Sequence, residues 1–327
     1  MINVTIVGTG DIASTMATTL KSLTDDFKLY GVVSRSFDKG KAFAKRYQIE
    51  KVFTSLEEVV EDNKTNLVYI GTPHTLHYSQ SKFFLENKIP VLCEKPMTVN
   101  ADELIDLIET SKNNQTLLVD ATWSRYMPFS KDVKALANKH NLGRLLNIHS
   151  SLGIQKQDVN RMINPELAGG SLLDVGIYPV NVACLFNEHE VMDIKASAIM
   201  TDTNVDQSVT TLLTFSDGMM ATLQSSIGSI LSDKSTLSYE QGLIELHGIP
   251  KVKQVIVKNI EHEIVDSIHY DYLTGYEYEL FETQEAIKNN VIEPKSLSHK
   301  ESLRVISILD EIRKQIDLVY PFEKEGN

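Results

Sequence analysis

The chain has 327 residues, 42% hydrophobic and 23% charged, with a formal net charge of −12. This is the composition of a globular protein able to bury cores, and the length suggests about two domains. An acidic balance with no basic stripe excludes nucleic acid as the expected partner, and two cysteines, Cys93 and Cys184, leave no disulfide framework or cysteine metal site.

The start MINVTIVGTG has neither the cationic lead nor the cleavage site of a signal peptide. No apolar run approaches the roughly 20 residues of a spanning helix. A cytoplasmic protein without a membrane partner is expected. The first third then alternates two patterns. NVTIVG, FKLYGVVS, KVFTS, NLVYIGTP, PVLCEK and TLLVDA read as strands. DIASTMATTLKSL, SFDKGKAFAKRY, LEEVVED, HYSQSKFFLENK and NADELIDLIETSKNN, lying between them, read as helices. Such alternation predicts an α/β unit, a doubly wound parallel sheet with helices on both faces.

After about residue 122 the texture changes. RLLNIHSSLGI, DIKASAIMT, SVTTLLTF, MMATLQSSI, TLSYEQGLIELHG and KQVIVKN read as strands with few helices between them. SDG marks a hairpin turn. A second α/β domain with a large, mostly antiparallel open sheet is expected. The helices YEYELFETQEAIKNN and HKESLRVISILDEIRKQI close the chain. The expected domains are residues 1–121 and 122–327.

VTIVGTGDIAST places Gly8, Gly10 and Ala13 as G-x-G-x-x-A between a strand and a helix that opens with Asp11 and Ile12. The first glycine permits the tight turn, the second lets a pyrophosphate approach the backbone, and the small third residue packs helix on strand. The helix start adds free N–H groups and a partial positive charge. A plain tight turn is the alternative; the strand–turn–helix context favours a dinucleotide. An acid about 20 residues on would hold the ribose hydroxyls of NAD. Here Ser34, Arg35 and Ser36 stand instead. Arg35 suits a 2′-phosphate, with Lys39 or Lys41 in support, so NADP is expected over NAD.

The loop GTPHTLHYSQ, with Thr72, His74 and His77, follows the fourth strand. Carboxyl ends of such strands face the ligand crevice, so this loop is expected at the cofactor. His-x-x-His lacks further ligands at zinc spacing, and no metal is expected. Positioning the nicotinamide ribose suits the loop; helix capping or a surface role stays open for His77. The fifth strand ends in LCEKP, which delivers Lys95 to the same crevice with Glu94 to neutralise or orient it. A cation there could polarise a substrate oxygen or lower the pKa of a neighbouring acid.

The G-x-G-x-x-A start, TPHTLH and EKP, in this order and spacing, resemble the Gfo/Idh/MocA family of NAD(P)-dependent oxidoreductases over essentially the whole chain. The resemblance implies a Rossmann domain followed by an α/β domain whose open sheet forms a homodimer or homotetramer interface. The family's second domain usually supplies D-x-x-x-H with the histidine as acid/base. GGSLLDVGIYPVNVA instead keeps Asp174 and puts Tyr178 at the histidine position. That departure, and DATWSRYMP with Trp123 and Arg125, resemble the dihydrodiol dehydrogenase and xylose dehydrogenase branch, where a tyrosine takes the acid/base role. A free phenol has a pKa near 10; Lys95 nearby would favour the phenolate. The bland reading is a half-buried, hydrogen-bonded tyrosine.

Asp174 is open to three roles: binding substrate, orienting Tyr178, or capping the following helix. Trp123 walls the nicotinamide or sugar pocket, or is core. Arg125 contacts substrate or pairs with an acid. Together these readings give an NADP-dependent oxidoreductase acting on a sugar, polyol or dihydrodiol-like molecule through a Tyr178–Lys95 pair. The rival is a nucleotide-binding redox sensor without turnover.

Overall fold

The computed structural model describes residues 1–324. They divide into two compact units. The first takes Met1–Tyr126 and Leu273–Leu303; the second takes Met127–Tyr272 and, of the described residues, 304–324.

The first unit is built on six parallel strands. They are β1 (Ile2–Val7), β2 (Phe27–Val33), β3 (Lys51–Phe53), β4 (Leu67–Ile70), β5 (Val91–Glu94) and β6 (Leu118–Ala121), in the order β3-β2-β1-β4-β5-β6. Between them run α1 (Asp11–Ser22), α2 (Phe37–Tyr47), α3 (Glu57–Asp62), α4 (His77–Glu86) and α5 (Ala101–Asn114). This is the doubly wound sheet that the alternation predicts. Strands β4, β5 and β6 are buried at every residue, as strands covered on both faces must be. The strand order reverses between β1 and β4, where ligands of such sheets bind. The helix starts are chemically marked. Asn100 accepts from Glu103 N at 2.9 Å while Glu103 reaches back to Val99 N at 3.1 Å, which satisfies two otherwise orphaned donors before α5.

The expected boundary after residue 121 differs from this division, because Leu273–Leu303 packs with the first unit. The physical reason lies at the open edge of β6. Leu118 N–H donates to Ile292 O at 3.0 Å, and His299 Nε2 lies 2.9 Å from Leu118 O. The returning segment also brings Tyr276 onto Trp123, ring centroids 4.9 Å apart and nearly coplanar.

The second unit carries an eight-stranded sheet: β7 (Leu145–Gly153), β8 (Val191–Met200), β9 (Asp206–Phe215), β10 (Met220–Ser226), β11 (Lys234–Tyr239), β12 (Gly242–His247), β13 (Gln254–Asn259) and β14 (Ile264–His269). The order is β14-β13-β12-β11-β7-β10-β9-β8, and only β7 and β10 pair in parallel. Alternation decides its faces: Val209, Leu213, Ala221 and Leu223 are buried, while Thr210, Met220 and Thr222 between them are exposed. Preceding β8 are α6 (Phe129–Lys139), α7 (Asn160–Ile163), a π-helical turn (Leu172–Gly176) and α8 (Ile177–Phe186).

Three details depart from the sequence reading. TLSYEQGLIELHG is two strands, β11 and β12, closed by a turn that pairs Tyr239 with Gly242. The strand β14 escapes notice because IVDSIH buries no residue fully. Helix α6 is a helix of amphipathic pattern beginning directly after Pro128. A fourth concerns the membrane criterion: Pro165–Phe186 is 22 residues long and apolar enough to span a bilayer, yet 89% of its most apolar window is buried within the protein, as in a core helix.

Candidate active site

The phosphate-binding turn is built as its glycines require. Gly8 has φ +113°, and a Cβ there would sit 2.9 Å from Gly71 O, so both conformation and space demand glycine. Gly10 precedes α1 in extended conformation, and a Cβ on it would meet nothing within 4 Å. That open space before a helix N-terminus fits the approach of a dinucleotide pyrophosphate. Asp11 is exposed in the first turn, Ile12 is half-buried, and Ala13 is buried, as close packing of helix on strand needs. At the end of β2, Ser34 is buried and donates to Ser36 O at 2.9 Å, whereas Arg35 is exposed.

The loop after β4 divides its two histidines. His77 is wholly buried, with Nδ1 2.8 Å from Pro96 O and Nε2 2.8 Å from Thr72 O. Its ring ties the loop after β4 to the loop after β5. Burial pushes its pKa down while the two carbonyls pull it up. His74 is half-buried, and Thr72 donates its hydroxyl to Gln80 Oε1 at 2.7 Å.

At the end of β5, Glu94 is buried and Lys95 half-buried before a cis Lys95–Pro96 bond. Tyr69 O–H donates to Glu94 Oε1 at 2.6 Å, and Lys95 N–H to Oε2 at 3.3 Å. Burial raises the Glu94 pKa to about 7, against the pull of Tyr69 and of the Lys95 charge. The neighbouring strand repeats the device. Asp120, near the end of β6, accepts from Thr122 N at 2.9 Å and Thr122 Oγ1 at 2.7 Å, and burial raises its pKa. Trp123 and Arg125 are both buried. Trp123 stacks on Tyr276, and Arg125 Nη2 lies 3.4 Å from Glu301 Oε2.

In the second unit, Asp174 lies in the π-helical turn and Tyr178 in the first turn of α8, four residues on and both buried. Arg161 Nη1 donates to Asp174 Oδ1 at 3.1 Å. The turn itself is pinned from below. Asp206 Oδ2 accepts from Ser171 Oγ at 2.8 Å and Leu172 N at 2.6 Å. A Cβ on Gly170, at φ +125°, would fall 2.1 Å from Asp206 Oδ1, so this acid dictates the glycine in AGGSLL. Burial raises the Asp206 pKa to about 6.

Sequence reasoning missed Tyr69, Asp120, Arg161, Asp206 and Glu279. Asp120 carried the signal that exposed Glu94, an acid ending an apolar strand. Glu279, on the helix Glu277–Lys288, carried none, since an acid in a helical pattern reads as a solvated face. Among the described residues no cluster of His, Cys, Asp and Glu is arranged to hold a metal ion.

A parallel sheet with a glycine turn open to phosphate at its switch point is the framework of a dinucleotide-binding domain. The description "Oxidoreductase family, NAD-binding Rossmann fold" matches residues 2–121, and "GFO/IDH/MocA C-terminal domain" matches residues 130–245. The chain belongs to the Gfo/Idh/MocA family, and is an NAD(P)-binding oxidoreductase acting on CH–OH groups. The trans-1,2-dihydrobenzene-1,2-diol dehydrogenase of Xenopus tropicalis is 28% identical over 324 residues, 97% of this chain and 98% of that one. The protein of the same name from Homo sapiens is 28% identical over 327 residues, 98% of each chain. Two solved structures share the fold. A 3-ketoreductase from Actinomadura kijaniata, in complex with NADP and TDP-benzene, superposes with a TM-score of 0.85 at 21% identity over 96% of this chain and 98% of that one. An aldose-aldose oxidoreductase from Caulobacter crescentus gives 0.85 at 19% identity over 100% and 98%.

Proposed function

We propose that the chain is an NADP-dependent dehydrogenase or reductase for a carbinol or carbonyl carbon of a sugar, polyol or dihydrodiol-like molecule. The observation that carries this reading is a Rossmann sheet whose phosphate turn is open at Gly10, followed by an exposed Arg35 where NAD binding would favour an acid. Gly8, Gly10 and the start of α1 would hold the pyrophosphate, with Arg35 on the 2′-phosphate. When bound, the nicotinamide supplies hydride donation or acceptance. Tyr178 exchanges the proton of the substrate oxygen, and Lys95 stabilises negative charge developing on that oxygen. Asp174, held by Arg161, is assigned to orienting this segment.

The relatives named as dihydrodiol dehydrogenases support the substrate class, and the NADP in the ketoreductase complex supports the cofactor. The sheet of the second unit leaves one face open, with Met220 exposed on it, and we assign that face to a homodimer or homotetramer. Light scattering at micromolar concentration should give a dimer or larger; a monomer would remove this assignment. The test of function is NADPH and NADH titration, followed by NADPH absorbance with a panel of sugar, diketone and hydroxyketone substrates. Tighter NADPH binding with turnover of one class is expected. Tight binding with no turnover would favour a redox sensor.

A further inference from the structure

We propose that Glu279 is a proton-bearing carboxyl that fixes the charge count behind Lys95, leaving Glu94 to be the acid that ionises beside the lysine. The inference deepens, and rests on, the role given to Lys95 above. Three acids are buried together in the first unit: Glu94 ends β5, Asp120 lies near the end of β6, and Glu279 sits on the helix Glu277–Lys288. Each of Glu94 and Asp120 acts electrostatically on Glu279, and Asp120 acts on Glu94.

Their partners differ. Glu94 has the Tyr69 hydroxyl, the Lys95 N–H and the Lys95 charge. Asp120 has the N–H and hydroxyl of Thr122, the Ser302 hydroxyl and the charge of Arg125. Both oxygens of Glu279 are buried, with no hydrogen-bond donor among the described residues, and the charges it faces are Glu94, Asp120 and Glu277. Removing a lone carboxylate from water costs several kcal/mol, and anionic neighbours add to it. The proton therefore belongs on the acid without donors.

Among the described residues, no cation acts on Glu279. The phenols of Tyr69 and Tyr126 and the thiol of Cys93 are pushed up by burial and stay neutral. Tyr276 adds a phenol facing Tyr69. His77 and His299 are pushed down by burial. Glu277 is spent on the N–H groups of Leu273, Thr274 and Gly275, and Arg125 is met by Glu301. A charged Glu279 would drive the proton onto Glu94, because two coupled acids share the cost, and Lys95 would lose the Glu94 charge beside it. A neutral Glu279 adds no charge of its own and leaves the ionisation beside the lysine to Glu94.

Infrared spectroscopy of the full chain at about pH 9, above the Glu94 pKa of about 7 and the Asp206 pKa of about 6, tests the proton directly. The carbonyl stretch of a protonated carboxyl should be present in the wild type, absent in Glu279→Gln and retained in Glu94→Gln. Glu279→Met, similar in length and apolar, should also lose the band and fold with nearly unchanged Tm. The second readout is the pH profile of turnover. Glu279→Gln should leave its alkaline limb in place, since an amide replaces a neutral acid. Glu94→Gln should move that limb to lower pH by about one unit, a loss of about tenfold on the alkaline side. A missing wild-type band, or one that survives in Glu279→Gln, overturns the proposal. So does a limb that moves as far in Glu279→Gln as in Glu94→Gln. If the band behaves as expected and Glu94→Gln leaves the limb unmoved, the role of Lys95 fails while the proton stays on Glu279.

Discussion

Two strand ends of one sheet treat charge in opposite ways. At the end of β2, Arg35 stands exposed between two serines, one of which is tied to the backbone of the other. At the end of β5, Glu94 is buried between the Tyr69 hydroxyl and Lys95, with Asp120 and Glu279 within electrostatic reach. An exposed charge is screened by water and salt, so its removal affects only what it touches. A buried charge is counted together with its neighbours, so its removal changes the protonation of the rest. The first arrangement suits choice between similar ligands, and the second suits chemistry.

The largest expected effect lies with the chemistry. Tyr178→Phe removes the exchangeable proton and keeps the ring. Turnover should fall about a hundredfold to ten-thousandfold, measured in steady state with an active substrate. NADPH affinity should hold, since the dinucleotide is assigned to the first unit.

The second unit sharpens the lesson about buried charge. The Asp206 pKa is raised to about 6 in the folded protein, against about 4 in an unfolded chain. A carboxyl with a raised pKa is harder to ionise folded than unfolded, so its ionisation costs stability. That cost is absent below about pH 4, grows as pH rises through about 6, and reaches on the order of 3 kcal/mol. Asp206→Asn should flatten the stability–pH curve across this window, read by urea unfolding at several pH values. An unchanged slope would show that Asp206 is not the group responsible.

The smallest effect belongs to the exposed end. Arg35→Ala should weaken NADPH binding about tenfold, the worth of one charge-assisted hydrogen bond, and leave NADH binding nearly unchanged. Fluorescence titration of both cofactors measures it. Equal losses would remove the 2′-phosphate from Arg35 and erase the contrast between the two ends.

The same contrast governs how much the sequence discloses. Gly8 was legible because a positive φ and a 2.9 Å approach to Gly71 O leave no other residue type. Glu94–Lys95 was legible as an anomaly, charge at the end of an apolar run. The doubly wound sheet followed from period alone. The return of Leu273–Leu303 to the edge of β6 was not legible, because backbone hydrogen bonds from Leu118 to Ile292 leave no mark on side-chain pattern. Glu279 was hidden because its burial depends on that return. The packing partners of Trp123 and Arg125 were not legible because Tyr276 and Glu301 lie more than a hundred residues away along the chain.

The central proposal is that Lys95 and Tyr178 act as one unit on the substrate oxygen. A double-mutant cycle measures it: turnover of the wild type, Lys95→Ala, Tyr178→Phe and the double variant with one active substrate. The account predicts that the double variant loses about as much as the worse single variant, since residues that act as a unit are non-additive. Losses that multiply, or near-normal turnover in Tyr178→Phe, would contradict it.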